Sequence, residues 1–274
     1  MYWGVHAKRE LSDCARSLVL ELLKEKLRPD IDQNTLKQVP YLPIRRYNTC
    51  SPFTGIHCAS FFGISEVVAT LIEMECYDIK EGDFMGYTPL AWASHNGHEG
   101  VVKLLLKREE VNPDKPDNGN RTPLSYAAER GYAGVVKLLL EREEVNPDRL
   151  DVSSESLFLY DTSEGSRTPL SYAAQGRYEG VVKLLLEREK VNPDKPDDSD
   201  WTPLSYAASG GYEEVVKLPL EREEVNPDMT SNDGQTPTSL ATKESHSMVA
   251  ALLQSRKAVT PYDLRPRRLL KGNG

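Results

Sequence analysis

Long apolar runs are missing from this chain. No stretch approaches the roughly 18 to 20 residues that span a bilayer, and the leucine-rich Leu18–Leu23 is broken by Glu21. A membrane is therefore not an expected partner. The first residues do not read as an apolar leader, and none is expected, because Lys8, Arg9, Glu10 and Asp13 stand where its core would lie. Excess positive charge is absent: 34 Lys and Arg face 42 Asp and Glu, for a net charge of -8. That argues against nucleic acid, whose phosphates call for a basic surface. Cysteine is scarce. Cys14, Cys50, Cys58 and Cys76 form no CxxC pair, so neither a disulfide framework nor a zinc knuckle is expected. A reducing intracellular setting is the simplest account, cytoplasmic or else nuclear. There is no GxxxxGK[ST] phosphate loop, and no nucleophile, base and orienting group stand at meaningful spacing. A non-catalytic chain with no cofactor and no small-molecule substrate is expected.

What the chain does have is internal repetition. Thr122-Pro123-Leu124-Ser125-Tyr126-Ala127-Ala128 recurs from Thr168 and again from Thr202, with looser copies from Thr54, Thr88 and Thr236. The six threonines are separated by 34, 34, 46, 34 and 34 residues. One interval thus carries 12 extra residues (46 against 34). A fixed period of 20 to 50 residues marks a stacked repeat fold.

The unit over 119–150 shows the local logic. Gly119-Asn120-Arg121 is turn chemistry. Thr122 suits a helix N-cap, and Pro123 suits the first helical position, where the missing N–H is harmless. Leu124, Ala127 and Ala128 fall on one face of a short helix, and the alanines let a second helix approach. Gly131 suits a left-handed stop. A second helix follows through Val135, Val136, Leu138, Leu139 and Leu140, apolar over a broad face. A single unit cannot bury its leucines, so stacking must supply the core.

This TPL..A/S..GY/H..VV.LLL pattern resembles the ankyrin repeat over residues 50–256. The resemblance implies an all-α solenoid of stacked helix-turn-helix units with β-turn tips. The expected units are 50–85, 86–118, 119–150, 165–198, 199–232 and 233–256, with an inserted loop over 151–164. Residues 1–49 are expected to form an N-terminal helical cap and linker, and 257–274 a basic, disordered tail. The consensus wording LLLEREEVNPDKPD, present as LLLKREEVNPDKPD, LLLEREEVNPDRLD and LLLEREKVNPDKPD, with TPLSYAA is similar to the C-terminal ankyrin arrays of fungal NACHT-type, NLR-like signalling ATPases. That likeness opens a second possibility, a regulatory or sensing fragment of a larger ATPase.

The resemblance further implies a protein or peptide partner in a concave groove lined by the tips and the ends of the first helices. The tip residues are Phe53, Tyr87, Arg121, Arg167, Trp201 and Gln235. The helix-end residues are Phe61, Phe62, His95, Asn96, Glu129, Arg130, Gln175 and Ser209. Aromatics and arginine are the types enriched in interface hot spots. Trp92, Tyr126, Tyr172 and Tyr206 share one position. They are expected to pack helix on helix, with an exposed stripe as the alternative. His57 and His98 match structural positions of the repeat, so no metal site is expected.

Four departures stand out. Lys107-Arg108-Glu109-Glu110 and its copies replace the usual Gly-Ala after the second helix, and the following Asn-Pro is expected to end that helix. Pro219 replaces a leucine of the VVKLLL run, which predicts a kinked or shortened helix. Arg177 stands where other units have Gly97, Gly131 and Gly211, a strained substitution unless Gly176 shifts the turn. The insertion carries Leu157-Phe158-Leu159-Tyr160, either a partner-binding loop or a neutral insertion.

Overall fold

In the computed structural model, residues 53–73, 78–151 and 166–257 are described. The expected cap over 1–49, the tetrapeptide Leu157–Tyr160 and the tail beyond Lys257 lie outside them. The described residues form twelve helices and no strand. They pair as α1 Gly55–Phe62 with α2 Ser65–Glu73, α3 Pro89–His95 with α4 Glu99–Leu106, and α5 Pro123–Glu129 with α6 Ala133–Leu140. Beyond the insertion come α7 Pro169–Gln175 with α8 Glu179–Leu186, α9 Pro203–Ser209 with α10 Glu213–Leu220, and α11 Pro237–Lys243 with α12 Ser247–Lys257. First helices pack on first helices and second on second, giving two layers. This is the expected all-α solenoid of six helix pairs.

Each first helix starts as its sequence dictates. The side chains of Thr122, Thr168 and Thr202 accept the N–H of Ser125, Ser171 and Ser205, and proline fills the first turn. Leu124, Ala127 and Ala128, with their copies at 170, 173, 174, 204, 207 and 208, are buried against the neighbouring layers. Val101, Val135, Val181 and Val215 close the core from the second layer. Each such aliphatic side chain contributes about 1.5–3 kcal/mol on burial.

The turn between paired helices needs a left-handed residue. Gly97, Gly131 and Gly211 supply it with φ of 74°, 74° and 70°. Any side chain there would strike the ring of Tyr132, Tyr178 or His246 in the following unit. Arg177 adopts the same conformation, φ 59°, while Gly176 stays right-handed, so the strain expected at Arg177 is present. Its guanidinium lies over the Tyr212 ring of the following unit, 5.8 Å from the centroid.

Two expectations about the second helices are corrected. Asn-Pro does not end them. α4 stops at Leu106, well before Asn112-Pro113, through a tight turn in which Arg108 donates to the Leu105 carbonyl at 3.1 Å. The orphan carbonyl of Leu106 is taken by Arg142 of the next unit at 2.8 Å, so a charged neighbour replaces the missing glycine stop. Nor is α10 shortened at Pro219. It runs the same eight residues as α4, α6 and α8. Pro219 is next to last in the helix, so it removes one late hydrogen bond and is held in place by burial.

The insertion does not open the stack: α5 packs on α7 as α7 does on α9. Asp151, expected inside the loop, belongs instead to the repeat. It is buried, and its N–H donates to the Arg167 carbonyl across the excursion at 3.2 Å.

Candidate functional site

Every tip from the second to the fifth unit opens on an aspartate: Asp83, Asp117, Asp151 and Asp197. One carboxylate oxygen closes the turn. Asp117 accepts the N–H of Gly119 and Arg121 at 2.8 and 2.9 Å, and Asp197 those of Ser199 and Trp201, both at 2.8 Å. The other oxygen accepts from the aromatic residue one turn into the first helix. These donors are the Trp92 indole N–H at 3.0 Å and the hydroxyls of Tyr126, Tyr172 and Tyr206. Turn and helix are thereby locked together. Burial pushes the Asp83 and Asp151 carboxyls and the Tyr126, Tyr172 and Tyr206 hydroxyls above their ordinary values. Sequence reading missed the aspartates. Their signal was a fixed place five residues before Thr88, Thr122 and Thr202, which the insertion hides at Asp151.

Between these rings lie the tip side chains, forming one continuous ladder. Phe61 meets Trp92 edge-on at 5.2 Å, and Tyr87 stacks on Trp92 at 4.5 Å and on Tyr126 at 5.1 Å. Arg121 then sits over Tyr126 at 4.3 Å and Tyr172 at 5.0 Å. Arg167 lies over Tyr172 at 5.7 Å and Tyr206 at 4.7 Å, and Trp201 closes the series 5.1 Å from Tyr206. Alternating rings and guanidinium groups attract through the ring quadrupole, about 0.5–2 kcal/mol per contact. Trp92, Tyr126 and Tyr172 are buried, so the packing reading of the shared aromatic position holds for them, while Tyr206 is half-buried.

The structure gathers part of the predicted surface. Phe53 and Phe62 pack at the first-unit end of the ladder, on Trp92 and Phe61. Arg121 binds Glu129 at 2.7 Å, and Arg167 donates to Gln175 at 2.8 Å, so tip and helix end are tied to each other. Arg167 is 7% exposed, a buried strut and not an open tip. Asn96 turns inward, donating to the Trp92 carbonyl at 2.9 Å. Gln235 lies past the ladder and accepts from Ser239, because Leu240 takes the tyrosine position in the sixth unit. Arg130 is exposed and donates to His95 at 2.9 Å. Burial and then the Arg130 charge lower the His95 pKa to about 4, so the ring stays neutral and accepts that bond.

Between the fourth and fifth units the ladder borders a cavity of about 440 Å³, lined by Arg167, Gln175, Trp201, Tyr206, Ser209 and Tyr212 among others. Three aromatic rings contribute to its lining, which is more polar than apolar. Among the described residues no group of His, Cys, Asp or Glu is arranged to hold a metal, and no helix is long and apolar enough to cross a membrane.

His57 is the first unit's counterpart of Ser125. Its Nδ1 accepts the Thr54 N–H at 3.2 Å, and its Nε2 lies 3.1 Å from the Glu81 carbonyl. The first contact needs an unprotonated Nδ1, whereas Nε2–H can donate to Glu81 in either charge state; burial outweighs that bond and lowers the pKa to about 4. A depressed histidine contributes stability fully present above about 6.5 and lost as pH falls towards 4. The size is roughly 3 kcal/mol. Asp83, Asp114, Asp148, Asp151 and Asp194 are shifted upward by burial, so their contribution declines with rising pH and opposes this window. Amide protection factors over 56–62, corrected for the intrinsic pH dependence of exchange, are expected to fall between pH 6.5 and 4.5, and His57→Ser to flatten that response. An unchanged profile in the variant would remove His57 as the cause.

The chain matches the family described as Ankyrin repeats (3 copies) over residues 11–117, 56–151, 109–197, 152–226 and 170–263. No curated protein matches it in sequence. Among solved structures it is similar to a chain from the predatory endopeptidase Bd0816 of Bdellovibrio bacteriovorus in complex with immunity protein Bd3460. That likeness has a TM-score of 0.62 and 22% identity, and it covers 73% of this chain and 96% of that one. At this identity it speaks for the fold alone.

Proposed function

The chain belongs to the ankyrin-repeat family, and from that premise we propose that it is a non-catalytic scaffold that holds a protein or peptide partner on its first-helix face. The observation that carries this is the cavity of about 440 Å³ at the end of the ladder. Its aromatic walls are braced from behind by the tip aspartates and arginines, so they are already positioned before a partner arrives. Preorganisation of this kind lowers the ordering penalty of binding. Buried Cys58, whose thiol is pushed up to about 12, fits a reducing intracellular setting.

Trp201→Ala combined with Ser209→Arg tests the reading, since it removes one wall and fills the space without touching an aspartate lock. Affinity capture from native extract is expected to lose its main partner, with the melting temperature held within a few degrees. An identical partner list at unchanged stability would overturn the groove. The repeat wording LLLKREEVNPDKPD and its copies support a second reading, that the array is the sensing end of a NACHT-type signalling protein. Transcript sequence upstream of Met1 decides it: an open frame reaching a phosphate loop is required, and a stop codon would rule it out.

A further inference from the structure

Resting on the groove reading above, we propose that the cavity between the fourth and fifth units receives an uncharged carboxamide, the side chain of a glutamine or asparagine in the partner.

The cavity exists because the fifth unit is small where others are large. The first helix and its cap end on His95-Asn96 in the second unit and on Glu129-Arg130 in the third, but on Ser209-Gly210 in the fifth. A side chain at 210 would meet the Tyr212 ring at 2.4 Å, so glycine lets that ring stand as one wall. Trp201, Tyr206 and Gln175 of the fourth unit join it in the lining.

Two charged residues line the space, and each is neutralised by the other through one hydroxyl. Tyr206 accepts from the Arg167 guanidinium at 2.8 Å and donates to an Asp197 oxygen. The same guanidinium donates to the Gln175 carbonyl oxygen at 2.8 Å. The second Asp197 oxygen accepts the Ser199 and Trp201 N–H groups, both at 2.8 Å. Arg167 is 7% exposed and Asp197 6%, so neither charge is open to a guest. Arg177 rests over the Tyr212 ring and is not part of the lining. A carboxylate or ammonium entering here would shed water and meet no free counter-charge, which is costly.

The groups left to meet a guest are neutral. Gln175 has its oxygen occupied and its amide nitrogen unbonded. Among the described residues, the Trp201 indole N–H and the hydroxyls of Ser199, Ser209 and Tyr212 also make no hydrogen bond to protein. Amide and indole nitrogens only donate, whereas hydroxyls also accept. A carboxamide answers both: its oxygen takes the donors, and its two N–H groups meet the hydroxyls. An aliphatic side chain would cover these groups without pairing them, which a polar site rejects.

The test is selection of a random dodecapeptide phage library on the full chain, followed by fluorescence anisotropy of the enriched peptide. Glutamine or asparagine is expected at one fixed position. Replacing it there by Glu, Lys or Leu should weaken binding about tenfold. On the protein side, Gln175→Glu turns the free donor into an acceptor and should weaken the carboxamide peptide about tenfold as well. That variant should fold, because the third unit already holds Glu129 on Arg121 at 2.7 Å, and an unchanged melting temperature checks it. Enrichment of charged, apolar or hydroxyl residues at the anchoring position overturns the proposal, as does no enrichment. Peptide binding unaffected by Gln175→Glu also overturns it. Displacement by free glutamine at the peptide's own concentration overturns it in favour of an amino-acid site. If the Trp201→Ala, Ser209→Arg variant loses selected peptides that carry no carboxamide, the groove stands and the carboxamide falls. Whether the groove itself fails is decided separately, by capture from extract.

Discussion

Asp151→Ala is expected to destabilise the array by about 3–5 kcal/mol and to split its unfolding into two steps. Asp151 accepts the Arg167 N–H at 2.6 Å and the Tyr172 hydroxyl, and lies 3.4 Å from the Arg121 guanidinium. Alanine would leave a buried amide and a buried phenol without their acceptor, at about 1–3 kcal/mol each, and release an arginine that bridges two units. The corresponding turn at Asp117 spans three residues before Arg121, whereas 15 lie between Asp151 and Arg167. Closing the longer excursion costs about 1.4 kcal/mol more by loop entropy, so the lock matters most here. In a stack, each unit is stabilised chiefly by its neighbours. A weakened junction between the third and fourth units should therefore let the two halves melt apart. Urea unfolding followed by circular dichroism reads both effects. Asp151→Asn keeps one acceptor and should lose about half as much. A single transition shifted by less than 1 kcal/mol in the alanine variant would show that the insertion is closed by other means.

The repeat framework was legible because its determinants are local and recur with a fixed period. Thr122-Pro123 sets a helix start by itself, Gly131 sets a stop, and Leu124 with Ala127 and Ala128 defines a buried face at helical spacing. The features that escaped are relations between units. No local pattern says that Arg142 will take the Leu106 carbonyl 36 residues back, so the sequence points instead to the visible Asn-Pro as the end of α4. The tip arginines were legible as residue types suited to binding. Their burial between tyrosines of successive units depends on stacking geometry that one repeat does not contain. Asp151 shows the same limit: its partners are fixed by the repeat register, and 12 extra residues conceal that register. For the candidate site, residue types are legible in the sequence but their arrangement is not: the structure separates struts such as Arg167 from exposed groups such as Arg130.

Pro219→Leu is expected to stabilise the fifth unit by about 2–4 kcal/mol, one of the few single changes that should raise stability so far. Position 219 is equivalent to Leu105, Leu139 and Leu185, each fully buried. Proline there forgoes the hydrogen bond to the Val215 carbonyl and sets its ring against that carbonyl, a penalty of about 3 kcal/mol in a helix interior. Two conditions moderate the penalty. Pro219 is followed in α10 only by Leu220, and the helix still closes normally, with Glu221 donating to the Lys217 and Leu218 carbonyls. Leucine would restore the missing bond and fill the column occupied in the other units. The gain is confined to α10 and the helices it packs on, α8, α9 and α12. Amide protection in the fifth and sixth units should therefore rise more than in the second and third. A uniform rise along the chain would mean that the array unfolds as one cooperative block. No rise at all would mean that α10 has already relaxed around its proline and that the other leucines in this column are not limited by the same bond.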